Sequence, residues 1–326
     1  MEIIISGYGE EGRQNIIKCD ENGKVIWSDT IESPSFVCVT KDRMFAGTES
    51  NDYAIIHSYV KEDKGYKLVD SAKYEGTCLC HVGYSEKNNM VFGACWGSGH
   101  VLYGVIDESG KFTKTGLLHQ DNETGDDSLQ SRAHFVHINK SEDTLMVTNV
   151  GIDIICFYEI KDGEIKEKDR ITTEKGQHPR HAVFTEDEKT LYVITELSNE
   201  ILVYDMPSKV LKQRISTLPE GYNEKSHCSA ICLSPDEKTI YGANRYSESI
   251  VFFGVDDNGK LYLKDRIACQ GDRPRHMALT RDGKNLIICY QISGEVVILG
   301  IGKDGLPDGK INKFDFHDAA GVAEII

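Results

Sequence analysis

The chain has 326 residues, with 37 basic and 52 acidic side chains and a formal net charge of −15. This balance argues against a nucleic-acid partner, because such binding needs many Lys and Arg side chains placed against phosphates. The sequence contains no apolar run of about 18 residues and opens with no basic and apolar leader, so it predicts neither a membrane span nor a signal peptide.

The first segments of the chain read as three strands in succession, EIIISGYG, QNIIKCDENG and KVIWSDTI. β-Branched and aromatic residues bounded by turn formers favour strands. A longer repeat of strands separated by polar turns follows. Its clearest copy is RHAVFTEDEKTLYVITELSNEILVY. The six copies begin at Pro34, Cys80, Ala133, Arg180, Ser229 and Arg275.

The second residue of each copy serves as a marker of the period. These markers are Ser35, His81, His134, His181, Ala230 and His276, separated by 46, 53, 47, 49 and 46 residues. Four strands recurring every 40 to 50 residues or so are typical of a β-propeller blade. The final segment AAGVAEII, residues 319–326, reads as one more strand.

The single C-terminal strand and the three N-terminal strands together make one complete blade. We therefore predict an all-β fold, a seven-bladed β-propeller with four-stranded antiparallel blades. The C-terminal strand is expected to pair with the N-terminal strands, which closes the ring and removes exposed sheet edges. No linker separates the copies, so residues 1–326 are interpreted as a single domain.

Ten cysteines are present, and most of them lie inside predicted strands among apolar residues. In such positions Cys behaves as a small hydrophobic residue, and a chain of this length needs no disulfide framework. This pattern favours a cytoplasmic location. Cys78 and Cys80 form a close pair but lack a second His/Cys pair at zinc spacing, so no metal and no cofactor are expected.

Propeller geometry brings two sets of residues to one mouth of the central channel, because inner strands begin where second strands end. The first set contains the six markers together with Arg180 and Arg275, which precede two of them. The second set ends the second strands and comprises Tyr8, Glu49, Trp96, Val150, Glu196, Arg245 and Gln291.

Each of these side chains also has a structural interpretation. A His on an inner strand can bond to a neighbouring blade, Tyr8 and Trp96 can serve as packing residues, and Arg–Glu pairs can neutralise each other. Unpaired buried charges are costly, so Arg180, Glu196 and Arg245 require partners or a ligand. Ionisable groups clustered in a cleft favour an anion-binding site with an acid or base beside it.

Several short motifs at these positions resemble one enzyme family. His178-Pro179-Arg180-His181 and Thr195-Glu196-Leu197 are similar to the G-x-P-R-H and N-E-L motifs of the 6-phosphogluconolactonase-type propeller lactonases, which also include carboxy-muconate lactonising enzymes. Further matches are Ala243-Asn244-Arg245 with Ser249-Ile250, Ala133-His134 with Gly151-x-Asp153, Pro34-Ser35-Phe36, Cys80-His81-Val82 and Gly97-Ser98-Gly99. The resemblance runs through the whole chain in order.

The chain departs from the family pattern at several positions near the predicted mouth. Thr195 replaces the Asn of N-E-L, and His276 stands where Asn is usual. The other departures are Asn149 and Val150 in the D-L-G segment and Ser131-Arg132 in place of Pro-His. Because these changes touch the predicted site, they bear on the substrate rather than on the fold.

The resemblance implies a lactonase that hydrolyses a sugar lactone, most concretely 6-phosphogluconolactone, with His134, Glu196, Arg180 and Arg245 as active-site residues. We expect Glu196 or His134 to take a proton from water and the two arginines to hold anionic groups. Substrate contacts are expected from His181, His81, Glu49, Arg275, His276 and Gln291.

Two other functions use the same predicted mouth. One is the lactonising cycloisomerisation of a muconate-like diacid, which needs an acid and a base but no hydrolytic water. The other is a non-catalytic propeller that binds a protein or small ligand, since this fold serves many functions. The expected partner in the first two cases is a small anionic lactone or carboxylate, and the oligomeric state is left open.

Overall fold

The computed structural model describes residues 1–324, which contain 28 β-strands, numbered β1 to β28 in chain order. The strands form seven antiparallel sheets of four. Blades one to six follow the chain from β4–β7 to β24–β27, and blade seven combines β28 with β1–β3. The described residues include no helix long and apolar enough to cross a membrane.

Every blade has the same strand order from the channel outwards. The innermost strands are Pro34–Val39, Leu79–Ser85, Ala133–Ile138, Pro179–Phe184, His227–Leu233, Pro274–Leu279 and Ala319–Glu324 (β4, β8, β12, β16, β20, β24 and β28). The second strands are Arg43–Glu49, Met90–Cys95, Thr144–Asn149, Thr190–Thr195, Thr239–Arg245, Asn285–Tyr290 and Glu2–Gly7 (β5, β9, β13, β17, β21, β25 and β1).

The two outer layers complete the blades. The third strands are Ala54–Lys61, His100–Ile106, Ile154–Lys161, Glu200–Asp205, Ser249–Val255, Glu295–Ile301 and Ile16–Asp20 (β6, β10, β14, β18, β22, β26 and β2). The outermost strands are Tyr66–Tyr74, Phe112–His119, Glu164–Thr172, Val210–Ser216, Leu261–Ala268, Pro307–Asp315 and Val25–Asp29 (β7, β11, β15, β19, β23, β27 and β3).

The predicted ring closure is confirmed. Strand β28 pairs antiparallel with β1, with Ile3 opposite Glu324 and Ile5 opposite Val322. The closing strand was predicted over residues 319–326, and it is observed over Ala319–Glu324, while residues 325 and 326 lie outside the described residues. Blade seven is therefore built from both ends of the chain, as the split repeat predicts.

The hydrophobic core lies between neighbouring blades rather than inside one blade. Phe92 and Val101 of blade two, for example, pack in one buried cluster with Leu145 and Val147 of blade three. The inner strands also contact one another around the ring, from β4 through β28 and back to β4. Each blade thus needs both neighbours to bury its faces, and blade seven supplies the last pair of contacts.

A β-bulge interrupts the start of the inner strand in each blade. In blade four, Pro179 pairs with Thr195 and His181 pairs with Ile194, so Arg180 is left without a partner across the ladder. Strand side chains normally alternate between the two faces, and a bulge breaks this alternation and redirects a side chain. Consecutive residues such as Arg180 and His181 are therefore both buried at the channel.

The bulges separate two rings of channel residues. The bulge ring consists of Ser35, Cys80, His134, Arg180, Ser229, Arg275 and Ala320, each of which is skipped in its ladder. The second ring consists of the residues that follow, Phe36, His81, Phe135, His181, Ala230, His276 and Gly321.

The two rings correct the predicted marker set. Ser35 and His134 belong to the bulge ring, whereas the other four markers belong to the second ring. The prediction that all six markers are equivalent was therefore wrong, because in these two blades the marker lies one residue before the second-ring residue. The repeat spacing cannot reveal this shift, because replacing Ser35 by Phe36 changes the first step only from 46 to 45 residues. The correction matters, because it places His134 in the same ring as Arg180 and Arg275.

We expect deletion of residues 319–326 to lower the melting temperature of the whole protein, because the deletion exposes an edge of β1 and removes contacts to blades one and six. The measurement is thermal unfolding followed by circular dichroism. A melting temperature equal to that of the full chain would contradict the closure of the ring by this strand.

Candidate active site at the channel mouth

A carboxylate held between two guanidinium groups forms one side of the channel mouth. Arg245 Nη2 donates to Glu196 Oε1 at 2.8 Å, and Arg180 Nε lies 3.4 Å from Glu196 Oε2. Arg180 also donates to the carbonyl of Ser229, and Arg245 donates to that of Cys228 at 3.2 Å. The contact of Arg180 ties blade four to blade five, that of Arg245 lies within blade five, and the two together fix both guanidinium groups in place.

Some polar atoms of this cluster have no hydrogen-bond partner among the described residues. They are Nδ1 of His134, Nε of Arg180 and Nε of Arg245, all of which are buried. An unsatisfied buried polar group costs about 1–3 kcal/mol. Two guanidinium charges also face one carboxylate, which leaves a positive excess. The cluster is thus suited to an anion that accepts hydrogen bonds.

The ionisation of Glu196 is set by its two arginines. Burial by itself would raise the pKa of Glu196, but the charges of Arg245 and Arg180 and the hydrogen bond from Arg245 hold this pKa below its usual value. The side chain is 18% exposed, so it faces the mouth rather than the sealed core. Glu196 is accordingly a carboxylate at neutral pH.

The same arginines that keep Glu196 charged keep His134 uncharged. Burial, together with Arg180, Arg275 and Arg245, holds the pKa of His134 well below its usual value. The imidazole is therefore neutral at pH 7 and has a nitrogen lone pair available. An anion bound to the arginines would reduce their effect and increase the proton affinity of His134.

A second Arg–Glu pair lies at the mouth. Arg275 Nη2 lies 3.5 Å from Glu49 Oε2, and the Tyr8 hydroxyl donates to the same oxygen at 2.7 Å. Arg275 belongs to blade six and Glu49 to blade one, so the pair spans blade seven. The bulge residue of blade seven is Ala320, which adds no charged or polar side chain between them.

Below the arginines, histidine rings form a packed layer in the channel. The His181 ring lies 5.3 Å from that of His134, 5.6 Å from that of His81 and 6.0 Å from that of His276. The N–H of Val136 donates to Nδ1 of His81 at 3.4 Å, and that of Val322 donates to Nδ1 of His276 at 3.3 Å. His81 and His276 thus join neighbouring blades, as their structural interpretation predicts.

The structure thus brings most of the predicted site residues together. Glu196, Arg180, Arg245 and His134 lie around the first cluster, and Arg275 with Glu49 forms the second. Gln291 occupies the corresponding position of blade six, where its N–H donates to the carbonyl of Arg273 at 2.9 Å, and no side-chain hydrogen bond joins it to either cluster within residues 1–324.

Sequence reasoning missed one residue of the mouth and assigned another to packing. His227 Nδ1 lies 3.8 Å from Glu196 Oε1, and His227 is the first residue of the inner strand β20, where no marker was sought. Tyr8 was interpreted as a packing residue, yet its hydroxyl bonds to Glu49. Comparing the residue two positions before each bulge would have identified His227, because His178 and Arg273 occupy the same place.

Broad surface grooves lie elsewhere on the molecule. One of about 980 Å³ runs along the outer side of blades four and five and is lined by Tyr222, Phe253, Leu263 and Arg266 among others. Among the described residues that line this groove, Arg266 is the single basic one, beside Glu220 and Glu224, so the groove has no group of cations like that at the channel mouth. The chemistry of the mouth makes it the stronger candidate for a reaction site.

The fold and the mouth define a seven-bladed β-propeller with an arginine-rich ionisable site at the end of its channel. A family model described as "Lactonase, 7-bladed beta-propeller" matches residues 19–320, so the chain belongs to this family.

Individual relatives agree with this membership. A 6-phosphogluconolactonase of Bacillus subtilis is 27% identical over 237 residues, which cover 71% of this chain and 68% of the relative. An uncharacterized protein of Staphylococcus saprophyticus is 27% identical over 314 residues, which cover 92% of this chain and 90% of the relative. The structure of the periplasmic gluconolactonase PpgL of Pseudomonas aeruginosa has a TM-score of 0.90 at 18% identity, with 100% of this chain and 99% of that chain covered, and shows the shared fold.

We expect His276→Asn to make stability less sensitive to acid, because burial lowers the pKa of His276 to about 3 while an unfolded His titrates near 6.5. Below pH 6.5 or so the unfolded chain then binds a proton that the folded chain does not, and stability falls by up to about 1.4 kcal/mol per pH unit. Asn can still accept the N–H of Val322.

The measurement is the melting temperature of both proteins between pH 7 and pH 4. The two proteins should melt alike at pH 7, and the profile of the variant should fall less steeply below it. Parallel profiles would show that His276 is not a buried neutral imidazole.

Proposed function

We propose that the protein hydrolyses a sugar lactone at the channel mouth, most concretely 6-phosphogluconolactone to 6-phosphogluconate. The observation that carries this proposal is the carboxylate of Glu196 between the buried guanidinium groups of Arg180 and Arg245, with neutral His134 beside them. Membership of the lactonase family and the similarity to the Bacillus subtilis 6-phosphogluconolactonase support it.

Hydrolysis begins when a water oxygen adds to the lactone carbonyl carbon and the water loses a proton to a base at the mouth. Negative charge then develops on the carbonyl oxygen, where Arg180 and Arg245 stabilise it with groups already fixed by the fold. The ring C–O bond breaks next, and the leaving alkoxide takes the proton from the base. The product is an open-chain hydroxy acid whose carboxylate the same arginines can hold.

Two groups can serve as the base, and their hydrogen bonds differ. Both oxygens of Glu196 already face arginines, so neither is free to take a proton from water. Nδ1 of His134 has no hydrogen-bond partner within residues 1–324, and its proton affinity rises as negative charge builds up on the carbonyl oxygen beside the arginines. We therefore assign the proton transfer to His134 and the orientation of the two arginines to Glu196.

We further propose that residues 1–326 act as one domain in the cytoplasm. The contacts of each blade with both neighbours support the first point. The ten cysteines, all free thiols, support the second, because reduced thiols persist in the cytoplasm.

We expect Glu196→Gln, Arg180→Ala and His134→Asn each to lower kcat/KM for 6-phosphogluconolactone by about 10²–10⁴-fold, the range for loss of a positioned acid or base or of a charge-stabilising group. A continuous assay of lactone opening provides the measurement. If His134 is the base, kcat/KM of the wild type decreases only below pH 6.5, and His134→Asn removes this decrease while Glu196→Gln retains it.

The control is a second Arg–Glu pair in the same blade. Arg214 Nη2 lies 3.1 Å from Glu200 Oε2, and the Glu200 side chain is 18% exposed, as is that of Glu196. Glu200→Gln should leave kcat/KM within about twofold of the wild type, since a partly exposed ion pair contributes little. Full activity per folded molecule in Glu196→Gln, together with lost stability, would show that the Arg180–Glu196–Arg245 cluster is only structural.

A further inference from the structure

A second group of cations lies on the rim beside the Arg180–Glu196–Arg245 cluster. The Lys225 ammonium lies 4.0 Å from the centre of the Tyr246 ring, and the Arg273 guanidinium lies 3.9 Å from it. Tyr246 directly follows Arg245 at the end of β21. One tyrosine therefore orients two cations that come from two different loops.

The backbone of this rim is held in an unusual conformation. Tyr246 has a φ of 72°, which is rare and strained for a residue with a bulky side chain. Glu248 fixes it, because its carboxylate accepts the N–H of Tyr246 at 2.6 Å and the N–H of Arg273 at 2.8 Å. The corresponding residues in the other blades are Gly9, Ser50, Gly97, Gly151, Leu197 and Ile292. An aromatic residue at this position is thus particular to blade five.

The rim is continuous with the candidate active site. The ring of His227 lies 5.0 Å from that of Tyr246, and its Nδ1 lies 3.8 Å from Glu196. A single side chain therefore separates the two groups. We expect a ligand that is bound at Glu196 and is as long as a hexose to reach past His227 to the rim.

The charges around Tyr246 favour an anion. A hydrogen bond from Lys225, with the charges of Arg273, Lys225 and Arg245, lowers the pKa of Tyr246 against the effect of burial. Two carboxyl groups lie nearby on Glu248 and Asp272, but that of Glu248 is engaged by the two backbone N–H groups. In a chain with a net charge of −15, two cations stacked on one tyrosine are distinctive.

We propose that Lys225, Arg273 and Tyr246 form a phosphate subsite, which binds the phosphate of a phosphorylated sugar lactone while its carbonyl lies against Arg180 and Arg245. The inference rests on the proposed function for the position of the lactone ring. A phosphate monoester suits the subsite, because its oxygens accept charge-assisted hydrogen bonds from Lys, Arg and the Tyr hydroxyl.

The experiment compares two ligands that differ only in the phosphate, 6-phosphogluconate and gluconate, by isothermal titration calorimetry. The wild type should bind 6-phosphogluconate at least about tenfold more tightly. The double variant Lys225→Gln/Arg273→Gln should lose about 10- to 100-fold in affinity for 6-phosphogluconate, the effect of losing one or two charged hydrogen bonds. Its affinity for gluconate should stay within about twofold of the wild type.

Two variants serve as controls. Arg132 lies 3.9 Å from the Trp96 ring in a similar stack on another part of the rim, but its guanidinium already donates to Gln130 at 2.9 Å. Arg132→Gln should therefore keep the preference for 6-phosphogluconate. Arg281→Gln/Lys303→Gln, in turns between strands on the opposite face, removes the same total charge and should keep it too. The single variant Lys225→Gln provides an intermediate loss if the double variant folds poorly.

Several outcomes would overturn the subsite. They are equal affinity of the wild type for both ligands, an equal loss for both in the double variant, and a loss in Arg132→Gln that matches the loss in the double variant. A wild type that prefers 6-phosphogluconate but opens neither 6-phosphogluconolactone nor gluconolactone would instead contradict the proposed function and leave the subsite standing.

Discussion

The β-bulge at the start of every inner strand determines what the channel mouth can contain. A regular strand would turn every second side chain away from the channel. The bulge lets two consecutive residues face the channel, so Arg180 and His181, and likewise Arg275 and His276, are accommodated together. The result is a ring of polar and charged groups above a layer of neutral histidines.

The charges of this mouth are held by the ring rather than by any one blade. Arg180 and Glu196 come from blade four, Arg245 from blade five, and the Arg275–Glu49 pair spans blades six and one. The distances between these groups therefore depend on how the blades pack, and the blades pack through the apolar clusters between them. A rigid closed ring can keep positive charges close together without a ligand. A flexible loop would lose more conformational entropy in holding the same arrangement.

The sequence predicts the architecture well, because the repeat directly reports the four-strand unit and its split across the termini. It also brings Glu49, Glu196 and Arg245 to the mouth, since they lie at the ends of their second strands. It cannot predict the bulge, because one extra residue per strand hardly changes a period that already varies between 46 and 53 residues. For the same reason the position of His134 in the bulge ring, together with Arg180 and Arg275, appears only in three dimensions.

Several side-chain contacts at the blade ends could not be predicted from the sequence either. His227 and Tyr246 lie outside the predicted sets, and their importance depends on which side chains they meet, Glu196 in one case and two cations in the other. Tyr8 reads as an ordinary aromatic residue until its hydroxyl is seen to bond to Glu49. Strand periodicity determines the order of residues along a blade but does not determine the conformations of long side chains at the blade ends.

The proposed reaction requires the arginines at the channel mouth to bind the acid group of the sugar. The decisive measurement is a crystal structure of the protein with bound 6-phosphogluconate. We expect the carboxylate of the ligand to lie between Arg180 and Arg245, next to His134. A ligand bound in the outer groove beside Tyr222 and Arg266, or on the opposite face of the ring, would contradict it.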